Sequence, residues 1–260
     1  MSSTPRFVIS PVDFDRDWDE LFLAYWDSWK KPLQAVGQLT FAGIGTGGLE
    51  EEASFAATKQ EYLAAALANP DQDWIKIEDM DHRIIGGAAW TQIRQGSDQR
   101  AKHPMDVLGT RWLPGPGFEP GSDRHELSRE LYLQMWSWRP RIMNRPHVYG
   151  QALWVLPEYR HTGVAAQFMD FFVKVVDKLG LEAYLEASSM STSLYLKYGF
   201  VIIKYPTLVF HRDNPSPDWT RLVHDIQSHP ISIMWRPKGG KYEEGKTILP
   251  WLGKPRQAKL

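Results

Sequence analysis

The chain has 260 residues, 43% of them hydrophobic and 23% charged, which is the composition of an ordinary globular protein with a full apolar core. Thirty basic and 31 acidic side chains give a formal net charge of -1, and this balance argues against a whole-surface field for nucleic acid or anionic lipid. The absence of cysteine excludes disulfides, zinc–thiolate sites and thiol nucleophiles, and it fits a reducing compartment.

The sequence shows no targeting segment, membrane span or metal motif. The N-terminus has no apolar core of signal-peptide length before its charges begin, and no run approaches the ~18 apolar residues of a membrane span. The eight histidines lack the paired spacing of metal ligands. We therefore expect a cytoplasmic protein with one domain over residues 1–260, no metal, and no nucleic-acid or membrane partner. The sequence leaves a homodimer open.

The first part of the chain predicts a strand, two helices and a hairpin. Its predicted elements are, in order, a strand at 6–10, a helix between an Asp15 or Asp17 cap and Pro32, a helix at about 51–68, and hairpin strands at 74–78 and 83–93. The first helix carries aromatic residues at helical spacing, among them Trp26 and Trp29, and we expect both in the core.

A long insertion is predicted at about 94–145. Its first part, 94–120, combines prolines and glycines without periodicity, which is typical of lids and binding loops. A helix then begins with Asp123 as its N-cap and Glu126 three residues later, in the pattern of a capping box, and Pro140 ends it.

The remaining chain predicts an α/β (α+β) fold around a mixed, mostly antiparallel sheet flanked by helices. Its predicted elements are a strand at 147–157, a long amphipathic helix ended by Gly180, a buried strand at 182–187, a short helix at 191–198, two closing strands at 200–210 and 231–237 joined by a proline-rich link, and a basic, loosely held tail at about 238–260. The strands on either side of the long helix should be parallel.

The junction between strand and long helix, PEYRHTGVAAQFMDFF at 157–172, collects small and hydrogen-bonding residues. The first N–H groups of a helix lack partners and lie at the positive end of its dipole, so they can bind phosphate. Gly163 and Ala165 let an anion reach the backbone, and Arg160 and His161 add positive charge. The alternative is a tolerated helix glycine beside a solvated cap.

Two motifs identify a family resemblance. RHTGVA at 160–165 resembles the [Arg/Gln]-x-x-Gly-x-[Gly/Ala] signature of the GNAT acetyltransferase superfamily, and LWVLPEY before it is similar to the strand that leads to this signature. SLYLKYGF at 193–200 resembles the later Leu-Tyr-x-Lys-x-Gly-Phe element, and YLEAS is similar to what fungal-type members carry. The resemblance is specific over the core motifs at 148–200. It carries nothing over to 94–145.

The resemblance implies acetyl-CoA as the cofactor and assigns its binding residues. The pyrophosphate would lie on the backbone of the signature loop, and the pantetheine arm would pair with the preceding strand, which splays from its neighbour. Ser188 stands where an asparagine commonly contacts the cofactor. The implied cofactor-binding residues are Leu153, Trp154, Val155, Arg160, His161, Thr162, Gly163, Val164, Ala165 and Ser188.

The resemblance also implies the catalytic groups. Tyr195 would protonate the departing thiolate, and the Val155 N–H would stabilise the oxyanion. The alternative is that Tyr195 is simply part of the helix core. Glu186 is our candidate general base; further candidates are His125, Glu126 and Glu130, and a water relay would need none of them.

The predicted function is transfer of an acetyl group from acetyl-CoA to an amine of a small molecule. The Trp- and Pro-rich insertion and the near-neutral charge favour a small acceptor, and Trp112, Trp136 and Trp138 are candidate walls of its pocket. Acetylation of a protein and a catalytically silent acyl-CoA sensor stay open as alternatives.

One motif points elsewhere. GIGTGG at 43–48 is literally the G-x-G-x-x-G of dinucleotide sites, but those sites need a hydrophobic strand before it and an acidic residue about 20 positions later at a strand end. The preceding QLTFA is a poor central strand, and the next strand ends too far along, at Glu78. We predict a mobile loop, of the kind that closes over the acceptor in this superfamily.

Overall fold

The computed structural model describes residues 7–94 and 118–252. The first elements are β1 Val8–Pro11, α1 Trp18–Ser28, α2 Ala35–Thr40, α3 Gly48–Leu67, β2 Gln72–Glu78 and β3 Ile84–Ile93. After the gap come α4 Asp123–Trp136, α5 Trp138–Ile142, β4 His147–Val155, α6 Val164–Leu179, β5 Glu182–Ala187, α7 Thr192–Lys197, β6 Val201–Lys204, α8 Pro217–Ser228 and β7 Ser232–Arg236.

The described strands form one seven-stranded sheet in the order β1-β2-β3-β4-β5-β7-β6. Every neighbouring pair is antiparallel except β4 and β5, which run parallel on either side of α6. The predicted mixed, mostly antiparallel sheet flanked by helices is confirmed. The hydrogen-bonding edges of β5 and β6 both pair with β7, so the last strand of the chain lies between them.

The contact between β4 and β5 is short. It starts at His147 opposite Glu182 and ends at Gly150 opposite Leu185. One residue further, Gln151 is an extra residue in the ladder with β3, because Ala152 pairs with Ala89 while Gly150 pairs with Trp90. Such a bulge bends its strand. Beyond it β4 follows β3, whereas β5 stays paired with β7, and the sheet opens between them.

Helices cover both faces of the sheet. On one face α6 buries Phe168, Phe172 and Val176 against the apolar side chains of β2 to β5. On the other face α1 packs an aromatic cluster, including Trp26 as predicted, against β2 to β4. A third cluster joins α2, α4 and α8 beside the open edge of β4 and β5. Trp29 is half-buried and packs at the border of the aromatic cluster.

The start of α4 differs from the predicted cap by one residue. Ser122, not Asp123, is the N-cap, and its Oγ accepts a hydrogen bond from the His125 N–H at 3.3 Å. The Asp123 carboxylate instead accepts hydrogen bonds from Arg212 Nε at 2.9 Å and from the Ser216 N–H at 3.1 Å. Asp123 therefore ties α4 to the chain before α8, which local sequence could not indicate.

Three other boundaries are corrected. Pro140 does not end the inserted helix; α4 ends at Trp136, and Pro140 lies within the short α5. The closing strand expected at 200–210 is shorter, Val201–Lys204. The proline-rich link contains α8, whose N-cap Ser216 accepts from the Trp219 N–H at 3.1 Å. A serine cap followed by proline at the first helical position is a start signal that the sequence did offer.

Some predicted segments lie partly outside the described residues. They include 95–117 of the insertion, with Trp112, and 253–260 of the tail. The described part of the tail contacts the chain before β4: Asn144 Nδ2 donates to Trp251 O at 2.9 Å, and Arg145 Nη2 donates to Ile248 O at 3.0 Å. Within residues 7–94 and 118–252, no helix combines the length and apolar character needed to cross a membrane.

Gly87 on β3 is required for the packing of β4. A Cβ at this position would overlap the Trp154 ring and would lie 2.8 Å from the carbonyl oxygen of Ile75, which is backbone and cannot move aside. We predict that Gly87→Ala lowers the free energy of unfolding by about 1–3 kcal/mol, as overpacking does. The matched control is Gly150→Ala on β4, whose Cβ would meet its nearest neighbour, Leu185 Cβ, at 3.5 Å, an ordinary contact. Denaturant unfolding measures both, and equal losses would contradict the assignment.

Candidate active site

The opening between β4 and β5 exposes main-chain groups of β4. The Leu156 N–H donates to Ile85 O at 2.8 Å, which fixes the side of β4 that faces β3. Because successive residues of a strand point their N–H groups to opposite sides, the amides of Leu153 and Val155 face the opening. Trp154, between them, pairs with Gly87 and buries its ring against Tyr25. The structure thus offers an extended molecule a strand edge to pair with.

The tip of α6 lies at the end of that edge. Gly163 is its N-cap, with φ of 98°, and a Cβ built there would meet no atom within 4 Å. The first helical bond runs from the Gln167 N–H to Gly163 O at 2.9 Å. Among the described residues, no backbone acceptor pairs with the amides of 161–166. An open helix tip with free amides suits an anion such as a pyrophosphate.

The side chains of the signature loop differ in placement. His161 is exposed with φ of 63°, and the exposed Thr162 donates its Oγ1 hydrogen to Tyr159 O at 2.6 Å. Val164 is buried in the core and Ala165 is half-buried, so both present only main chain to a ligand. The loop is braced from below by the hydroxyl of Tyr159, which donates to Asp79 Oδ2 at 2.7 Å.

Arg160 does not extend its side chain into solvent at the rim. Its Nε donates to Val155 O at 3.2 Å, its Nη2 to Ser28 O at 2.5 Å, and its Nη1 to Lys31 O. Burial lowers the pKa of the guanidinium. The positive charge expected at the anion site is therefore directed to three backbone carbonyls.

Tyr195 lies on the α6 side of the opening. It lines a cavity of about 150 Å³ together with Leu153, Phe168 and Ser188. Its ring packs at 5.5 Å on Phe200, and burial raises the pKa of its phenol to about 12. The hydroxyl therefore keeps its proton at neutral pH, as a proton donor must. Tyr195 thus packs in the apolar core and also lines this cavity, and its catalytic role stays a prediction.

A larger cavity, of about 560 Å³, opens on the opposite face of the sheet. Aromatic side chains from three helices, two strands and the segment after α1 wall it, among them Tyr25, Trp29, Tyr62, Trp74, Tyr132, Trp136 and Tyr149. Its carboxylates are Glu61, Glu186 and Asp225, and its arginine is Arg139. The cavity thus combines aromatic faces with more negative than positive charge, which suits an organic cation.

Glu186 points from β5 into the larger cavity. Burial raises the pKa of its carboxyl to about 7, although the hydroxyls of Tyr184 and Tyr149 and the charge of Arg139 act in the opposite direction. Its Oε1 is buried without a hydrogen-bond partner among the described residues. A carboxyl that is half-ionised near neutral pH can accept a proton from a bound group.

The two cavities meet at the bulge of β4. Gln151, Ala152 and Ser188 line both of them. Gln151 Oε1 accepts hydrogen bonds from Gln72 Nε2 at 2.7 Å and from Thr91 Oγ1 at 2.8 Å, so its side chain is fixed at the junction. Sequence reasoning missed Gln151, because a bulge in one strand is visible only in its pairing with the next.

Several candidates are not brought to this junction. Of the described residues, His125, Glu126 and Glu130 line neither cavity. His125 and Glu126 pair with each other at 3.3 Å at the start of α4, and Glu130 Oε2 accepts from the His211 N–H at 3.3 Å. Of the two described tryptophans proposed for the pocket, Trp136 lines the larger cavity, whereas Trp138 packs beneath Arg141 and Lys204.

In the glycine-rich loop at 43–48, backbone amides already donate hydrogen bonds to a carboxylate of the protein. Glu51 Oε2 accepts from the N–H groups of Gly45 at 3.1 Å and Gly47 at 2.9 Å, and Glu51 Oε1 accepts from Trp26 Nε1 at 3.0 Å. The element before the loop is the helix α2, not a strand. A dinucleotide phosphate would have to displace this carboxylate, so the loop is a structural turn.

Comparison with known proteins places the site in a family. The family model described as Acetyltransferase (GNAT) family matches residues 130–200, from α4 to the start of β6. This segment belongs to the GNAT acetyltransferase family. It contains the opening of the sheet, the tip of α6 and Tyr195. No curated protein matches the sequence, and the fungal-type subgroup stays a prediction.

Solved structures share the GNAT fold at low identity. Arylalkylamine N-acetyltransferase 2 from Aedes aegypti matches with a TM-score of 0.56 and 13% identity, covering 90% of this chain and 99% of that chain. A histone acetyltransferase HPA2 and related acetyltransferase from Corynebacterium glutamicum matches with a TM-score of 0.51 and 13% identity, covering 92% and 99%. The mosquito arylalkylamine N-acetyltransferase like 5b gives 0.51 and 13%, covering 88% and 99%. Family and fold together support an acetyltransferase enzyme.

The raised pKa of Glu186 predicts that the free energy of unfolding depends on pH. An unfolded glutamate ionises near pH 4.5, whereas the folded carboxyl keeps its proton up to about pH 7. Between these values the folded state binds more protons, so the free energy of unfolding falls as the pH rises. Glu186→Gln removes the charge, so its free energy of unfolding should exceed that of the wild type by about 1–3 kcal/mol at pH 8, with little difference at pH 5. Parallel pH profiles of thermal unfolding would contradict the buried carboxylate.

Proposed function

We propose that the protein is an acyl-CoA-dependent N-acetyltransferase that moves an acetyl group from acetyl-CoA to an amine of a small molecule. The observation that carries the proposal is the coincidence of an open strand edge on β4 with the unpaired amides at the tip of α6. An extended arm followed by a pyrophosphate matches that pair of features. The described residues show no cluster of His, Asp and Glu suited to a metal ion, and none is invoked here.

The residues present fit the cofactor. The amides of 161–165 would hold the pyrophosphate, because hydrogen bonds to charged oxygens contribute about 1.5–3 kcal/mol each. The amide of Leu153 would pair with the pantetheine arm, and the Val155 N–H would be left for the acyl oxygen of the thioester. Glycine at position 163 leaves the space over the helix tip open for the pyrophosphate, because any side chain there would occupy that space. Ser188 would offer its hydroxyl to the cofactor where the two cavities meet, and its Oγ lies 3.0 Å from Ser191 Oγ.

The chain supplies the proton chemistry. Bound acetyl-CoA provides the acyl group as a thioester, whose C–S bond breaks as the amine nitrogen bonds to the acyl carbon. Tyr195 would donate its phenolic proton to the departing thiolate on the α6 side of the opening, since its pKa of about 12 keeps the hydroxyl protonated until then. On the opposite side, the carboxylate of Glu186 takes a proton from the amine. The Val155 N–H, which faces the opening, stabilises the oxyanion.

The acceptor is proposed from the larger cavity. Its volume of about 560 Å³ suits a small organic molecule, and its aromatic and acidic lining suits an amine that arrives as a cation. The fold by itself does not choose an acceptor, because its neighbours include both arylalkylamine N-acetyltransferases and a histone acetyltransferase relative. A protein acceptor could react only if the cavity admitted a length of polypeptide. A small amine has only to pass through the mouth of the cavity.

The activity is tested by binding followed by turnover. Acetyl-CoA should raise the unfolding temperature and NAD should not, since a ligand that binds only the folded state stabilises it. A panel of small amines is then screened for acetyl-CoA-dependent thiol release, with peptides carrying free N-termini and lysines as the second set of acceptors. Stabilisation without thiol release from any acceptor would favour the silent acyl-CoA sensor.

The tip of α6 makes a sharper prediction. Asparagine is among the side chains that tolerate positive φ best, so Gly163→Asn adds a side chain over the amides at less backbone strain than a bulkier residue would. We expect CoA affinity to fall at least about tenfold, the loss of a single charge-assisted hydrogen bond or more. Gly180→Asn is the matched control, because Gly180 caps the other end of α6 at φ of 63° with equally open space. Isothermal titration with CoA compares them; an unchanged affinity in the Gly163 variant would overturn the cofactor site.

Tyr195→Phe tests the proton donor. The variant keeps the ring that packs on Phe200 and removes only the hydroxyl. We expect kcat to fall about 10²- to 10⁴-fold, the usual contribution of general acid catalysis, with the Kd of acetyl-CoA unchanged. Steady-state kinetics with an amine identified in the screen measure the first quantity, and titration measures the second. A kcat equal to that of the wild type would leave Tyr195 as a packing residue.

A further inference from the structure

Arg160 stands in the loop before α6, yet its guanidinium is used elsewhere. Nε, Nη1 and Nη2 donate to the backbone carbonyls of Val155, Lys31 and Ser28, respectively. Hydrogen bonds from a charged donor are the stronger kind, and a planar guanidinium holds several acceptors in a fixed geometry. The side chain therefore connects three pieces of chain: the signature loop, the end of β4 and the end of α1.

The connection reaches the wall of the larger cavity. Residues 28–34 join α1 to α2, and Trp29 and Gln34 within them line that cavity. Ser28 lies in the last turn of α1, where carbonyls lack helical partners and carry the negative end of the helix dipole. A cation placed there satisfies groups that the helix itself cannot. The position of the 28–34 segment thus depends on where Arg160 is held.

We infer that Arg160 is a positioning residue that couples the cofactor loop to the wall of the acceptor cavity. The inference rests on the proposed function, because it takes the amides of 161–165 as the pyrophosphate site. A ligand on those amides fixes the loop, the loop fixes Arg160, and Arg160 fixes residues 28–34. Coupling of this kind is reciprocal, so an ordered cavity wall also favours the binding form of the loop.

A direct phosphate contact is the competing role for Arg160. In that role its side chain would leave the three carbonyls and bind the pyrophosphate, and its removal would weaken CoA binding. In the coupling role its removal releases the cavity wall and weakens CoA binding only by the coupling factor. The two roles therefore predict different results for the protection of residues 28–34 and for the size of the loss in CoA affinity.

The experiment compares hydrogen exchange and CoA binding in the full chain. In the wild type, CoA should slow amide exchange in residues 28–34 by about fivefold or more, the low end of typical allosteric coupling. In Arg160→Ala the same amides should exchange faster without ligand, and CoA should no longer protect them. The Kd of CoA, measured by isothermal titration, should rise by about the factor of protection that is lost, roughly fivefold, because the coupling is reciprocal. Arg160→Gln, which keeps a shorter donor, should fall between the two and serves if the alanine variant does not fold.

Lys31→Ala is the matched control. It removes a positive charge from the same neighbourhood, since the Lys31 side chain is exposed, but it keeps the carbonyl that Arg160 binds. We expect CoA-linked protection in this variant to equal that of the wild type. A loss of CoA affinity in Arg160→Ala well above the factor of protection that is lost, or CoA-linked protection that survives the substitution, overturns the inference. Absence of CoA binding by the wild type is a different result, and it refutes the proposed function itself.

Discussion

The departure of β4 from β5 after Gly150 is the constraint on which the rest of the site depends. Each strand keeps its other neighbour, so the two parts of the sheet stay intact while the parallel contact between them ends. The extra residue Gln151 bends β4 at the same point. Without that bend, β5 would cover the amides of Leu153 and Val155, and no strand edge would remain for a ligand.

The opening also connects the two faces of the protein. Tyr195 reaches it from the α6 side, and Glu186 reaches it from the side of the larger cavity. Burial raises the pKa of both groups, so the phenol keeps its proton and the carboxyl titrates near neutral pH. In the proposed mechanism the acid and the base would therefore act from opposite sides of the sheet. The same burial that tunes Glu186 costs stability at high pH.

Two sets of backbone amides differ in whether the protein itself supplies a hydrogen-bond acceptor. Glu51 occupies the amides of the glycine-rich loop and makes it a turn, whereas the amides at the tip of α6 have no internal partner. Two glycine-containing segments that each precede a helix therefore have different roles. The difference is the carboxylate of Glu51, six residues after Gly45, which accepts a hydrogen bond from the Gly45 N–H in the loop at 43–48.

The sequence by itself determined the elements with strong local signals: the hairpin, the long helix ended by Gly180, the buried strand at Glu182–Ala187, and the loop around Gly163. Their periodicity, glycines and spacing are local properties, and the family resemblance lies in the same segment. Tertiary structure decided what depends on distant partners. The bulge at Gln151, the occupation of Arg160 by carbonyls of α1 and β4, and the gathering of Tyr25, Trp136 and Glu186 around one cavity join residues far apart in the chain. No local pattern encodes such contacts, because each is set by how sheet and helices pack.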